Sequence, residues 1–131
     1  MAEANEEKHA IERICADLGL PKGGAYTLDW AYELGEEFRT EAYIDKYLAA
    51  YANPAYGRIE RHVLVDLIFD VTNDLLQQNE EVGRAAWEHT VAAISPHLDE
   101  HKEQIEYWAV VGNPLEDSFA LSAFARQLLA P

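Results

Sequence analysis

Cysteine is almost missing from this chain of 131 residues: Cys15 stands alone. An internal disulfide framework is therefore excluded, and a reducing compartment is the simplest expectation. Bases are scarce too. Ten Lys and Arg face 24 Asp and Glu, a formal net charge of −14. Such a surface repels nucleic-acid phosphates and anionic lipids and attracts cationic partners. Long hydrophobic runs are lacking. The most apolar stretch, "VLVDLIFDV" from Val63 to Val71, is short and carries Asp66 and Asp70, so it cannot span a bilayer. The opening "MAEANEEKHA" is acidic and has no apolar centre of a secretory signal, so a cytoplasmic location is expected. Glycine is arranged in no phosphate-cradling loop, since "PKGGA" has neither the spacing nor the Lys-Ser/Thr pair. There is no G-x-S-x-G elbow for nucleophilic catalysis and no basic, aromatic-laced patch for nucleic acid. Repeats, linkers and strand-like alternation are nearly absent.

What is present is helical spacing cut by breakers. The length suits one domain, residues 1–131, and about half of the residues are hydrophobic, enough for a core. Ile11, Ile14 and Leu18 define a first helix, stopped by Gly19 and Pro21, with Cys15 a small core residue on it. "KGGA" reads as a loop. Leu28, Ala31, Leu34 and Phe38 predict a second helix from Thr27 to about Arg39. Thr40 caps a third, ending at Ala52 before Asn53-Pro54. A long fourth, about Arg58 to Gln78, carries Val63, Leu64, Leu67, Ile68, Val71 and Leu75 on one broad face, as a central helix needs. A fifth covers about Glu80 to Ile94. Ser95-Pro96 starts a sixth, reaching about Val110. Asn113-Pro114-Leu115-Glu116 repeats that signal, with Glu116 placed to complete a capping box. Ser122 caps a last helix, Ala123 to Leu129. The expected fold is an all-α, single-domain bundle of about six to seven helices.

Three patterns invite chemistry. "HLDEH", His97 to His101, fits H-x-x-E-H, in which two histidines on one helix face hold zinc. Its acidic neighbours Asp99, Glu100 and Glu103 instead suggest a solvated face, and only 30 residues follow to supply a third ligand. On the long helix, His62, Asp66, Asp70 and Asp74 recur four apart, with Asn73 beside them. Like charges at that spacing destabilise a helix by a few tenths of a kcal/mol per pair, so the stripe is either a wet face or in use. The uses to weigh are a divalent cation and a cationic protein surface. Glu33, Glu37, Glu41 and Asp45 repeat the theme beside a Tyr43, Tyr47, Tyr51 stripe. Tyrosine next to carboxylate is either core edge or a hot spot for a basic partner.

The closing "YWAVVGNPLEDSFALSAFARQ", Tyr107 to Gln127, places Glu116, Asp117 and Arg126 among aromatic and aliphatic residues. Read locally it is a clasp: Arg126 pairs with Glu116 or Asp117, while Trp108, Phe119 and Phe124 are core. The order Tyr107-Trp108, Leu115-Glu116-Asp117, Phe119, Leu121-Ser122 and Arg126 resembles the C-terminal signature of small helical immunity proteins of bacterial polymorphic and contact-dependent toxin systems. Ala123 departs from that pattern, which places a proline after the Ser or Thr cap. The resemblance covers about 23 residues, Tyr107 to Leu129. It implies a non-enzymatic protein, without cofactor or metal, that binds and neutralises one cognate toxin in the cytoplasm.

The expected toxin-binding residues are Asp66, Asp70, Asp74, Glu37, Glu41, Tyr43 and Tyr47, with Glu116 and Asp117 as weaker candidates. Two rival readings stand beside this one. An acidic nucleic-acid mimic or adaptor would block a nucleic-acid-binding partner. A metal-dependent helical enzyme would use the aspartate stripe or His97 and His101.

Overall fold

A computed structural model describes residues 2–21 and 30–129. The expected "KGGA" loop, and Thr27 and Leu28 at the start of the expected second helix, lie outside the described residues. Within them the chain is an all-α bundle. The helices are α1 (Ala2–Leu18), the single turn α2 (Trp30–Glu33), α3 (Glu41–Tyr51), α4 (Arg58–Gln78), α5 (Glu80–Ile94), α6 (Lys102–Ala109) and α7 (Ser122–Leu129). Short 3-10 segments at Glu36–Phe38, Ser95–His101 and Leu115–Asp117 join them.

Helix α4 is the axis. α1, α2, α3, α5 and the Ser95–His101 segment all pack on it. The expected face, Val63, Leu64, Leu67, Ile68, Val71 and Leu75, is buried, and Val65, Phe69 and Leu76 join it. A helix surrounded on most sides needs an apolar surface wider than one stripe. α1 contributes Ala10, Ile14 and Cys15 to the same core.

Local caps set several boundaries. The Thr40 hydroxyl accepts from the Tyr43 N–H at 3.3 Å and opens α3. The Glu60 carboxylate accepts from the Gly57 N–H at 2.9 Å and opens α4. Asn79 alone makes the α4–α5 hairpin. Its N–H donates to the Leu75 carbonyl, while its side chain accepts from the N–H groups of Glu81 and Val82. So tight a corner brings the two backbones together at Gly83.

Two expected helices are corrected. The second does not run on to Arg39. It stops after Glu33, and Gly35 is extended at φ −62°, ψ 159°. The reason lies in Arg39, whose Nη1 donates to the Ala31 carbonyl at 2.7 Å. That carbonyl is the acceptor a continuing helix would offer to the Gly35 N–H. The sixth begins with a 3-10 stretch, breaks at His97 (φ −126°, ψ 25°), and is α-helical only from Lys102.

One buried polar atom among the described side chains has no hydrogen-bond partner: the hydroxyl of Thr72, on a residue with 0% exposure. An unpaired buried hydroxyl carries its desolvation penalty with nothing to offset it. Thr72→Val keeps the shape and removes that group. It is expected to raise the unfolding free energy by about 1 kcal/mol in urea denaturation. A loss of stability would mean that the hydroxyl has a partner after all.

Candidate functional site

The aspartate stripe of α4 is only partly buried, and its carboxylates contact other parts of the fold. Arg39 is 8% exposed, and its guanidinium lies along the stripe. Nε donates to Asp74 Oδ2 at 2.5 Å, Nη2 to Asp70 Oδ1, and Nη1 to the Ala31 carbonyl. Burial works against the Arg39 charge, but its hydrogen bond to Asp74 and the charges of Asp70 and Asp74 more than offset it, so its pKa is raised. Asp66 accepts from Gln104 Nε2 at 2.7 Å and lies 3.6 Å from His62 Nε2. Asn73 is buried, and its side-chain oxygen accepts from the Leu121 N–H at 2.9 Å, holding the start of α7. The stripe thus knits α2, α6 and α7 to α4. Charge reversal at Asp70 would break the Arg39 pair, so it is no clean probe of a binding surface.

Of the tyrosines, Tyr47 is fully buried and donates its hydroxyl to the Phe38 carbonyl at 2.7 Å. Desolvation raises its pKa. It is a core residue, which corrects the expectation that it presents to a partner. Tyr43 is half-buried, with Lys46 Nζ 4.5 Å above its ring and Phe38 edge-on at 5.5 Å. Glu37 and Glu41 are exposed.

The histidine motif is divided by the break at His97. His97 lines a surface pocket of about 330 Å³ with Tyr51, Tyr56 and Arg61, and lies 3.8 Å from Glu100. Arg61 grips Glu100 with two N–H groups, at 3.0 and 2.7 Å. That hydrogen bond lowers the Glu100 pKa. His101 is fully buried and both ring nitrogens are engaged. Gln104 donates through Nε2 to the His62 carbonyl and to Asp66, so its oxygen faces His101 Nδ1 at 2.7 Å and must accept. His101 therefore carries its proton on Nδ1, and its Nε2 accepts from the Tyr51 hydroxyl at 2.8 Å. Desolvation pushes the Tyr51 pKa up to about 12. A zinc ion would have to displace one of these bonds. Among the described residues no group of three or more His, Cys, Asp and Glu is placed to hold a metal.

Burial lowers the His101 pKa. The folded state therefore holds this imidazole neutral, while the unfolded chain takes up a proton near pH 6.5. The resulting stability is fully present above that pH and is lost as pH falls below it. Glu100, whose pKa is also lowered in the fold, adds a second loss as pH drops below its ordinary value of 4.5. Thermal melting is expected to show a decline starting near pH 6.5, and His101→Gln to flatten that first step. A wild-type melting temperature flat from pH 7 to 5 would contradict the buried neutral imidazole.

The closing segment departs most from its reading as a clasp. Arg126 pairs with neither Glu116 nor Asp117. Its guanidinium donates to the carbonyls of Ala109 (2.7 Å), Val110 (2.7 Å) and Asn113 (2.8 Å). A cation there satisfies the bare carbonyl end of α6. It also holds Val110 at φ 47°, a left-handed conformation that a β-branched residue adopts only under constraint. The expected Glu116 capping box does not form; the Ser118 hydroxyl donates to the Pro114 carbonyl instead. Ser122 is buried, accepting from the Phe119 N–H and donating to the Trp108 carbonyl.

The aromatics divide. Trp108 is buried at the edge of the core and Phe124 half-buried against Trp87. Phe119, expected in the core, is 37% exposed and stacks on Tyr107, which is 65% exposed. Tyr107, Val111, Leu115 and Phe119 are four of the five exposed large hydrophobic residues among the described ones. Glu103, Glu106, Glu116 and Asp117 are exposed in the same stretch, and from Glu103 to Ala125 there is no Lys, Arg or His. In the sequence Phe119 reads as core and Tyr107 only as part of the C-terminal signature, because a loop has no periodicity to separate inward from outward positions.

Comparison of the chain with protein-family models, with curated proteins and with solved structures finds no match. Among the described residues no helix is long and apolar enough to cross a membrane.

Proposed function

We propose that this chain is a non-enzymatic immunity protein that binds and neutralises a cognate, basic toxin in the cytoplasm. The observation that carries the reading is where the bases go. Arg39, Arg61 and Arg126 are spent on contacts within the fold. Arg13 and Arg84 sit beside Glu60 and Glu80. The other five bases are Lys8, Lys22, Lys46, Arg58 and Lys102, in a chain with 24 Asp and Glu and a net charge of −14. A one-sided acidic surface speeds encounter with a cationic protein, and an exposed apolar loop supplies the area that holds it. The C-terminal resemblance to immunity proteins supports the same reading. Its mechanism is occlusion: the acidic protein covers a basic active site, or a surface beside it, on the toxin.

The test is co-expression with the product of the adjacent upstream gene. Growth rescue together with a stoichiometric complex on size-exclusion chromatography is expected. A neighbour whose product neither binds this chain nor is rescued by it would overturn the reading. Binding to a nucleic-acid-binding protein in its place would favour the acidic-mimic alternative.

A further inference from the structure

The geometry points to the Tyr107–Phe119 loop, rather than the acidic faces of α3 and α4, as the docking surface, and to an arginine- or lysine-bearing segment of a basic protein as its occupant. The inference rests on the reading of this chain as an inhibitor of a basic protein, but it is tested separately.

Three observations converge on the loop. The first is exposed apolar area. Tyr107 and Phe119 stack with ring centroids 5.9 Å apart, and Trp108 packs against Phe119 at 4.6 Å. The exposed rings thus stand on a buried one, which fixes them in place. Val111 at 73% and Leu115 at 52% exposure extend the surface along the loop. Rigid aromatics with little entropy left to lose are what binding hot spots are made of.

The second is charge. Glu103 lies one helical turn before Tyr107, Glu106 beside it, and Glu116 and Asp117 just before Phe119. The nearest base in sequence after the loop, Arg126, has its guanidinium turned to three backbone carbonyls. An arginine from a partner meets both of its preferred neighbours here, the face of an aromatic ring and a carboxylate. On the α4 stripe the corresponding carboxylates already hold Arg39 and Gln104. The third is preorganisation. Arg126 locks the turn after α6, with Val110 left-handed and Gly112 at φ 101°. A surface held in shape before binding loses less on association than a floppy one.

The experiment uses the full chain and a peptide probe. Amide chemical shifts are followed by NMR while acetyl-Gly-Arg-Trp-Arg-Gly-amide is added at about 0.15 M salt, where diffuse attraction is screened beyond ~8 Å. A second titration uses the uncharged citrulline analogue. Saturable shifts are expected at Glu103, Glu106, Tyr107, Gly112, Asn113 and Leu115 to Phe119, and the citrulline peptide should bind about tenfold more weakly. Tyr107→Ser with Phe119→Ser should weaken the arginine peptide by about tenfold or more. Both positions are exposed, and an unchanged circular-dichroism melt would show that the fold is kept. Saturable shifts centred on Glu37, Glu41 and Asp45 would overturn the assignment while leaving the inhibitor reading intact. Equal binding of the two peptides, or shifts that never saturate, would overturn it as well. Failure of growth rescue in the co-expression assay would instead remove the toxin reading and leave the loop's cation seat standing.

Discussion

Arg39→Met is expected to lower the unfolding free energy by about 3 kcal/mol in urea denaturation. A chain with so few bases has placed one guanidinium at 8% exposure, and two helices meet on it: α4 through Asp70 and Asp74, and α2 through the Ala31 carbonyl. Methionine fills similar space but leaves both carboxylates without their cation and the Ala31 carbonyl without its donor. Removing one partner of a buried pair costs ~3–5 kcal/mol, mostly because of the charge left behind. The lower end applies because the Asp74 side chain is 36% exposed and water can reach it. Arg39→Lys should also be clearly destabilising, since one ammonium cannot reproduce the fork that meets both aspartates and the carbonyl. Asp70→Asn with Asp74→Asn in the Arg39→Met background should recover part of the loss. A loss below about 0.5 kcal/mol, the range of an ordinary surface change, would show that the triad does not hold α2 to α4.

Gly83→Ala sets two effects against each other. In a helix interior alanine is favoured over glycine by about 1 kcal/mol, so propensity alone predicts a more stable protein. Packing predicts the reverse. A Cβ at Gly83 would lie 2.6 Å from the Leu76 backbone nitrogen and 2.7 Å from its Cα. These are main-chain atoms of α4 just before the Asn79 corner, and they cannot swing aside as a side chain would. Forcing the methyl in means prying α5 from α4 at the tightest point of their contact. Overpacking of this kind costs up to ~3 kcal/mol, so the net expectation is a loss of about 2 kcal/mol, or a melting temperature lower by about 10 °C. A raised melting temperature would mean that the hairpin is looser than the structure has it.

Much of the fold was legible in the sequence because its punctuation is local. Thr40, read as the cap of α3, acts within three residues of itself, as do the Gly57–Glu60 pair and Asn79 that the structure adds at the starts of α4 and α5. The apolar face of α4 is wide enough to mark a central helix. The rest was not legible, because its causes are distant in sequence. Arg39 ends the second helix early by taking a carbonyl from it, and does so while gripping aspartates 31 and 35 residues further on. A polar stripe at i,i+4 spacing looks the same whether it faces water or an internal guanidinium. Tyr47 looks like Tyr43 until the Phe38 carbonyl is seen to receive its hydroxyl. The candidate site was half visible. Glu116 and Asp117 were named, but Phe119 was read as core beneath a clasp and Tyr107 given no surface role, because an aromatic in or beside a loop gives no sign of which way it turns.

The measurement that bears most directly on the account is toxin binding by three forms of the chain: wild type, Tyr107→Ser with Phe119→Ser, and Glu37→Gln with Glu41→Gln. Each is titrated calorimetrically against the product of the adjacent upstream gene, at low and at physiological salt. The account predicts tight, salt-sensitive, stoichiometric binding by wild type. It predicts a loss of about tenfold or more for the loop variant, and a small change, removed by salt, for the glutamate variant. Wild-type affinity in the loop variant, or no binding by any form, would contradict it.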